Sequence, residues 1–135
     1  MTTQAKGAFT VKMTPQAWSE NSSDHTLARF LLDKQYLGDL EAASTGQMMS
    51  AGSGAQGSSG AYVALEKVTG SLKGRKGSFV LYHLGIMNSG VPDLKISVVP
   101  GSATDELSGL AGSMTIQIAD GKHSYEFAYT LATTQ

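Results

Sequence analysis

Apolar and polar residues alternate along most of this chain, which is the period of strands with one buried face. Residues 6–18 set Phe9, Val11 and Met13 against Ala8, Thr10 and Lys12. In residues 27–36, Phe30, Leu32 and Tyr36 share one parity while Leu27, Arg29, Leu31 and Asp33 share the other. Gly38 interrupts the pattern before a further strand over 39–51, with a second irregularity expected at Gly46. Leu94, Ile96 and Val98 alternate with Lys95 and Ser97, and residues 113–131 alternate on both sides of Asp120-Gly121. No window carries a sustained helical period. About eight antiparallel strands with short turns, and no helix to cover a sheet edge, predict an all-β fold: a closed antiparallel eight-stranded β-barrel, with a two-sheet sandwich as the alternative.

Two hairpins fix how the strands meet. Residues 60–88 read as a central pair around Gly74 and Gly77, whose permissive backbone suits a reversal. A loop of Gly74-Arg75, or of residues 73–76, places Leu72 opposite Gly77, Thr69 opposite Val80 and Glu66 opposite His83. Directly facing side chains of this kind have Cβ atoms about 4.5–5.5 Å apart. The same face carries Tyr62, Val68, Phe79, Leu81 and Met87. Asp120-Gly121 is the preferred composition of a two-residue type I′ turn and pairs Ala119 with Lys122, Ile118 with His123, Ile116 with Tyr125 and Met114 with Phe127. Met114, Ile116, Ile118, His123, Tyr125, Phe127, Tyr129 and Leu131 then line one apolar face, expected to be the barrel interior with His123 at its rim.

The central pair is apolar on both faces, since Val63, Leu65, Val80, Tyr82, Leu84 and Ile86 occupy the other side. A barrel has one interior, so the second apolar face calls for a cover, and another copy of the chain is the economical one. A homo-oligomer is therefore expected.

With 135 residues and 41% apolar composition, the chain is long enough for one full core, so residues 1–135 are expected to form a single domain. Residues 50–60, SAGSGAQGSSG, stand out as a flexible Gly/Ser-rich connector. They contain a bare G-x-G-x-x-G, but a strand rather than a helix follows, so the helix N-terminus that would hold a pyrophosphate is lacking. A net charge of -1 leaves no basic footprint for nucleic acid. Cysteine is absent, which removes disulfides, thiol catalysis and thiolate zinc sites. The three His lie on separate segments without metal-ligand spacing, and no metal or cofactor is expected. No apolar run reaches the roughly 18 residues of a membrane span, and no secretory h-region opens the chain, so a soluble, cytoplasmic protein is expected. His25 and the Asn21-Ser22-Ser23 acceptor pattern fall in a polar turn and carry little weight.

The runs VTGSLKGRKGSFV at 68–80, GSATDELSGLAG at 101–112 and DKQYLGDLE at 33–41 resemble a bacterial family of unknown function, over most of residues 6–131. Structures of that family are grouped with the allene oxide cyclase-like barrels, and the Gly/Thr-rich turn followed by Leu-x-Gly-x-x-Gly is distantly similar to allene oxide cyclases and dirigent proteins. The resemblance implies a barrel with a hydrophobic interior and assigns no catalytic residue.

A carboxylate beside an imidazole on an apolar face makes Glu66 and His83 the candidate catalytic pair, either as general acid and base or as a structural pair fixing register. The candidate ligand-binding residues are Glu41, Tyr62, Glu66, Phe79, His83, Tyr125, Phe127 and Tyr129, with Glu41 ambiguous in direction because Gly38 blurs its parity. The leading expectation is a barrel that binds a small, mainly apolar ligand. The alternatives are a cofactor-free isomerase or cyclase for an oxygenated apolar substrate, and a filled barrel working as a structural or interaction homo-oligomer. A cavity well below about 300 Å³ would favour the last.

Overall fold

In the computed structural model, which describes residues 2–16, 27–52 and 57–131, eight strands run in sequence order around a closed antiparallel barrel. They are β1 (Thr3–Gln16), β2 (Leu27–Tyr36), β3 (Leu40–Gly52), β4 (Gly60–Leu72), β5 (Arg75–Asn88), β6 (Val91–Val98), β7 (Ala111–Ala119) and β8 (Lys122–Thr130). Closure is made by β1, whose first half pairs with β8 and whose second half pairs with β2, meeting at Phe9. That continuity excludes the sandwich. Residues 17–18 of the first expected strand, the polar turn with His25 and the glycosylation pattern, and residues 53–56 of the Gly/Ser-rich stretch lie outside the described residues.

The ends of that Gly/Ser-rich stretch are strand rather than loop. Ser50 pairs with Tyr62 and Gly52 with Gly60, so the ladder runs into it from both sides. The irregularity expected at Gly46 is also absent: Gly46 stays in register between Leu32 and Glu66. Its missing side chain serves packing, because a Cβ there would overlap the Glu66 backbone.

Three reversals use two residues that both have positive φ, as a type I′ turn requires: Lys73-Gly74, Ser89-Gly90 and Asp120-Gly121. The last produces the expected register, with Ala119 facing Lys122 and Met114 facing Phe127. The first corrects the central pair. Glycine is needed at the second turn position, so the turn closes one residue earlier, pairing Leu72 with Arg75, Glu66 with Leu81 and Ala64 with His83. Because the slip is by two residues, no side chain changes face. Glu66 and His83 remain together on the inside as diagonal neighbours. Ser89-Gly90 leaves Pro92 within β6, paired with Met87. A proline is tolerated there because that stretch of β6 has no ladder partner on its β7 side.

The two ends of the cylinder differ. At one end β6 stops at Val98, and residues 99–110 turn back across the opening. The Val99 amide donates to the Val80 carbonyl (2.9 Å) and the Thr104 amide to that of Ser78 (2.8 Å), so this segment stands in for a strand along the start of β5. Leu107, in a short 3-10 turn, and Leu110 are buried beneath it and stopper the barrel. Phe79, Leu72, Val68, Phe127 and Tyr129 fill the space above them. At the opposite end lie the Ser89-Gly90 and Asp120-Gly121 turns, the latter on a hairpin that projects past the wall. Ile118 is accordingly 66% exposed rather than interior, while Tyr125, Phe127 and Tyr129 point inward as expected.

Candidate functional site

Between the filled half and the open end lies a buried polar belt centred on Glu66, which is 1% exposed. Strand alternation alone aims it inward from β4. Lys34 and Tyr36 reach it from β2, Ser44 from β3 and His83 from β5. The Lys34 ammonium donates to one carboxylate oxygen (2.7 Å), and His83 Nε2 lies 2.8 Å from that same oxygen. The hydroxyls of Tyr36 and Ser44 donate to the other oxygen, Ser44 at 3.2 Å. A carboxylate only accepts, so Nε2 of His83 carries the proton facing it. In the neutral ring Nδ1 is then an acceptor, and the Tyr62 hydroxyl, 3.3 Å away, donates to it. Hydroxyl, imidazole and carboxylate thus form an oriented chain, Tyr62 to His83 to Glu66.

The Glu66 charge is met by that of Lys34. Burial pushes the Glu66 carboxyl up, but the hydrogen bond from His83, the charge and hydrogen bond of Lys34 and the hydrogen bond from Tyr36 outweigh it, holding the group down at about 2. Burial, together with the neighbouring Glu66 charge, drives the Tyr36 hydroxyl far above its ordinary range and that of Tyr62 up to about 12. Lys34 also lies over the rings of Phe9 (5.3 Å) and Tyr36 (5.8 Å), so its ammonium is enclosed by a carboxylate and two aromatic faces. Among the described residues no buried side-chain polar atom lacks a partner. Nor does any group of three or more His, Asp or Glu side chains converge as a metal site among them.

Above the belt, at the open end, is a cavity of about 580 Å³. Phe30, Met48, Tyr62, Met87, Pro92 and Leu94 supply much of its wall. The Tyr62 ring lies against Gly85, where a Cβ would collide with it, so Gly85 is what lets this ring lean over the belt.

Of the candidate residues, Tyr62, Glu66 and His83 come together here. Phe79, Tyr125, Phe127 and Tyr129 do not line the cavity and belong to the packed core. Phe79 stacks on Phe127 (5.9 Å between centroids), and Phe127 on Tyr129 (5.3 Å). The Tyr125 hydroxyl accepts from the Leu40 amide (2.9 Å) and donates to the Leu37 carbonyl (2.8 Å), tying β8 to the β2–β3 turn. Glu41 is exposed on the outer wall, beside a surface depression shared with Lys67, Thr69 and Lys76, because the ladder beyond Gly38 gives it outward parity. Sequence reasoning missed Lys34, Tyr36 and Ser44. The signal was a lysine on the same parity as Phe30, Leu32 and Tyr36, which an inward-facing carboxylate explains.

The outer wall of the central strands remains apolar. Met49, Val63, Leu65, Leu84 and Ile86 are all exposed there, Leu65 by 58%. Among the described residues no helix is long and apolar enough to cross a membrane.

A family model described as a protein of unknown function (DUF3224) matches residues 5–129. The chain is similar to a crystal structure of a protein with unknown function from the DUF3224 family of Shewanella oneidensis MR-1. The two share 45% identity and a TM-score of 0.89, over 99% of this chain and 100% of that one. No curated protein matches the chain. The more distant likeness to allene oxide cyclases and dirigent proteins stays an expectation from the sequence, and no role is taken from it.

Proposed function

The chain belongs to the DUF3224 family, which brings it a fold and no activity, and from its own geometry we propose that it binds a small, mainly apolar molecule in the open end of the barrel. The observation that carries this reading is the cavity of about 580 Å³, inside the range of roughly 300–1,000 Å³ usual for ligand pockets. Phe30, Tyr62, Met48 and Met87 give its wall aromatic and thioether surface among small residues and the serines Ser50, Ser58 and Ser59, and the polar belt limits its depth. Binding is favoured over isomerase or cyclase chemistry because four donors from three other strands already occupy Glu66. A general base needs a lone pair free for the substrate proton. Tyr62 alone of the chain Tyr62, His83, Glu66 meets the cavity.

Nile red, an uncharged apolar dye, is expected to bind saturably with an emission increase. Ser50→Trp, which puts a large ring on the cavity wall, is expected to weaken it at least tenfold while leaving the circular dichroism spectrum intact. Absence of saturable binding, or equal binding by the variant, counts against the reading. Native mass spectrometry of the purified protein serves as a second check for a retained small molecule.

The exposed outer face supports a homo-oligomer as well. Leu65 and its neighbours form a contiguous apolar surface across β3, β4 and β5, which an isolated protein rarely leaves open to water. Light scattering at micromolar concentration is expected to give a multiple of the chain mass, and Leu65→Asp to return the monomer. A monomer throughout for the unaltered chain contradicts it.

A further inference from the structure

Resting on the binding reading, we infer that the pocket selects its ligand by head group: it takes an apolar molecule carrying a hydrogen-bond donor, an alcohol or an amine, and turns away carboxylates. The observation is which charges the pocket has and which it lacks. Among the described residues lining the cavity there is no Lys, Arg or His, and the only formally charged one is Asp93 at the rim. The nearest buried cation is Lys34, and it is spent. Its ammonium lies 2.7 Å from Glu66 and beneath two aromatic rings, so Lys34 offers no unpaired positive charge to the space above. A carboxylate entering the cavity loses its hydration without gaining a counter-charge, and desolvating an unpaired anion is among the most expensive steps in recognition.

The hydrogen-bonding direction of Tyr62 sets the complementary preference. Glu66 holds a His83 proton on Nε2, and with the ring neutral Nδ1 takes the Tyr62 hydroxyl proton. What Tyr62 has left for a ligand is its oxygen lone pairs, and these accept. A buried carboxylate two links away thus determines that the cavity's aromatic hydroxyl presents an acceptor. A ligand hydroxyl or ammonium satisfies it, whereas an ester or carboxylate brings a second acceptor to the same point. Asp93 adds an attraction for an ammonium and a repulsion for an anion.

The test uses four molecules sharing one tail: 1-octanol, octylamine, octanoate and methyl octanoate, each titrated against Nile red bound to the full chain at neutral pH. Octanol and octylamine are expected to displace the dye at concentrations at least tenfold below octanoate, with methyl octanoate between them. Tyr62→Phe is expected to weaken octanol about two- to tenfold, the size of one net hydrogen bond, and to leave methyl octanoate unchanged. Asp93→Asn is expected to narrow the gap between octylamine and octanoate. If the dye binds and octanoate displaces it as well as octanol does, the head-group preference is wrong while the binding reading stands. If the dye does not bind and none of the four shifts the amide resonances around the mouth, both fall together.

Discussion

Glu66→Leu is expected to cost about 3–5 kcal/mol of folding stability, the usual penalty for leaving a buried charge without its partner. Lys34 is 8% exposed, and its ammonium has no water to turn to once the carboxylate is gone. The hydroxyls of Tyr36 and Ser44 and the Nε2 proton of His83 lose their acceptor in the same step. Since small domains hold only about 5–15 kcal/mol in total, the variant is expected to unfold at much lower urea or not to fold at all. The double variant Lys34→Met, Glu66→Leu separates the causes. It removes the stranded cation, and apolar replacement of a buried ion pair is often neutral or stabilising, so it is expected to recover the part of the loss due to Lys34, leaving the part due to the donors of Tyr36, Ser44 and His83. A single variant that costs less than about 1 kcal/mol, or a double variant as damaged as the single one, contradicts the view that Glu66 is chiefly the counter-charge of Lys34.

Acid is expected to unfold the protein through the same carboxylate. The folded state holds Glu66 at about 2, below its ordinary 4.5, so the unfolded chain takes up a proton first as pH falls. A depressed carboxyl contributes stability that is complete above pH 4.5 and disappears as pH drops toward 2. The shift corresponds to a loss on the order of 3 kcal/mol across that window. Urea midpoints measured from pH 7 to pH 2.5 are expected to be flat down to about pH 5 and then to fall steeply. In the double variant the steep part should be largely missing. A wild-type curve that stays flat to pH 2.5 rules out an ionised Glu66 held by its four donors.

Much of the barrel is written in local pattern. The Asp120-Gly121 hairpin and its inward set of Tyr125, Phe127 and Tyr129 follow from turn chemistry and alternation alone. That Glu66 and His83 share a face was also legible, and it survives a turn placed one residue off because parity is conserved under a two-residue slip. What the pattern could not convey is contact between strands distant in sequence. Lys34 lies 32 positions from Glu66, and nothing within β2 says whether an inward lysine has a partner or marks an outward face. Height along the axis is equally hidden. Phe79 and Met87 have the same parity on β5, yet one packs above the stopper formed by Leu107 and the other lines the cavity. The direction of Glu41 stayed open in the sequence because the step through Gly38 sets it, and a left-handed glycine leaves no mark in the alternation.

The ladder between β6 and β7 is only two residue pairs long, Ile96 with Met114 and Ser97 with Ser113, whereas β4 and β5 are joined along their full length. A tube stitched so sparsely along one line has a ready place to part, since separation there breaks the fewest backbone bonds. On that line the start of β6, the stretch that brings Pro92 and Leu94 to the cavity, is held by β5 alone. The belt of Lys34, Glu66 and His83 sits on β2, β4 and β5, whose ladders are long, so the sparse seam and the charge pair are borne by different strands.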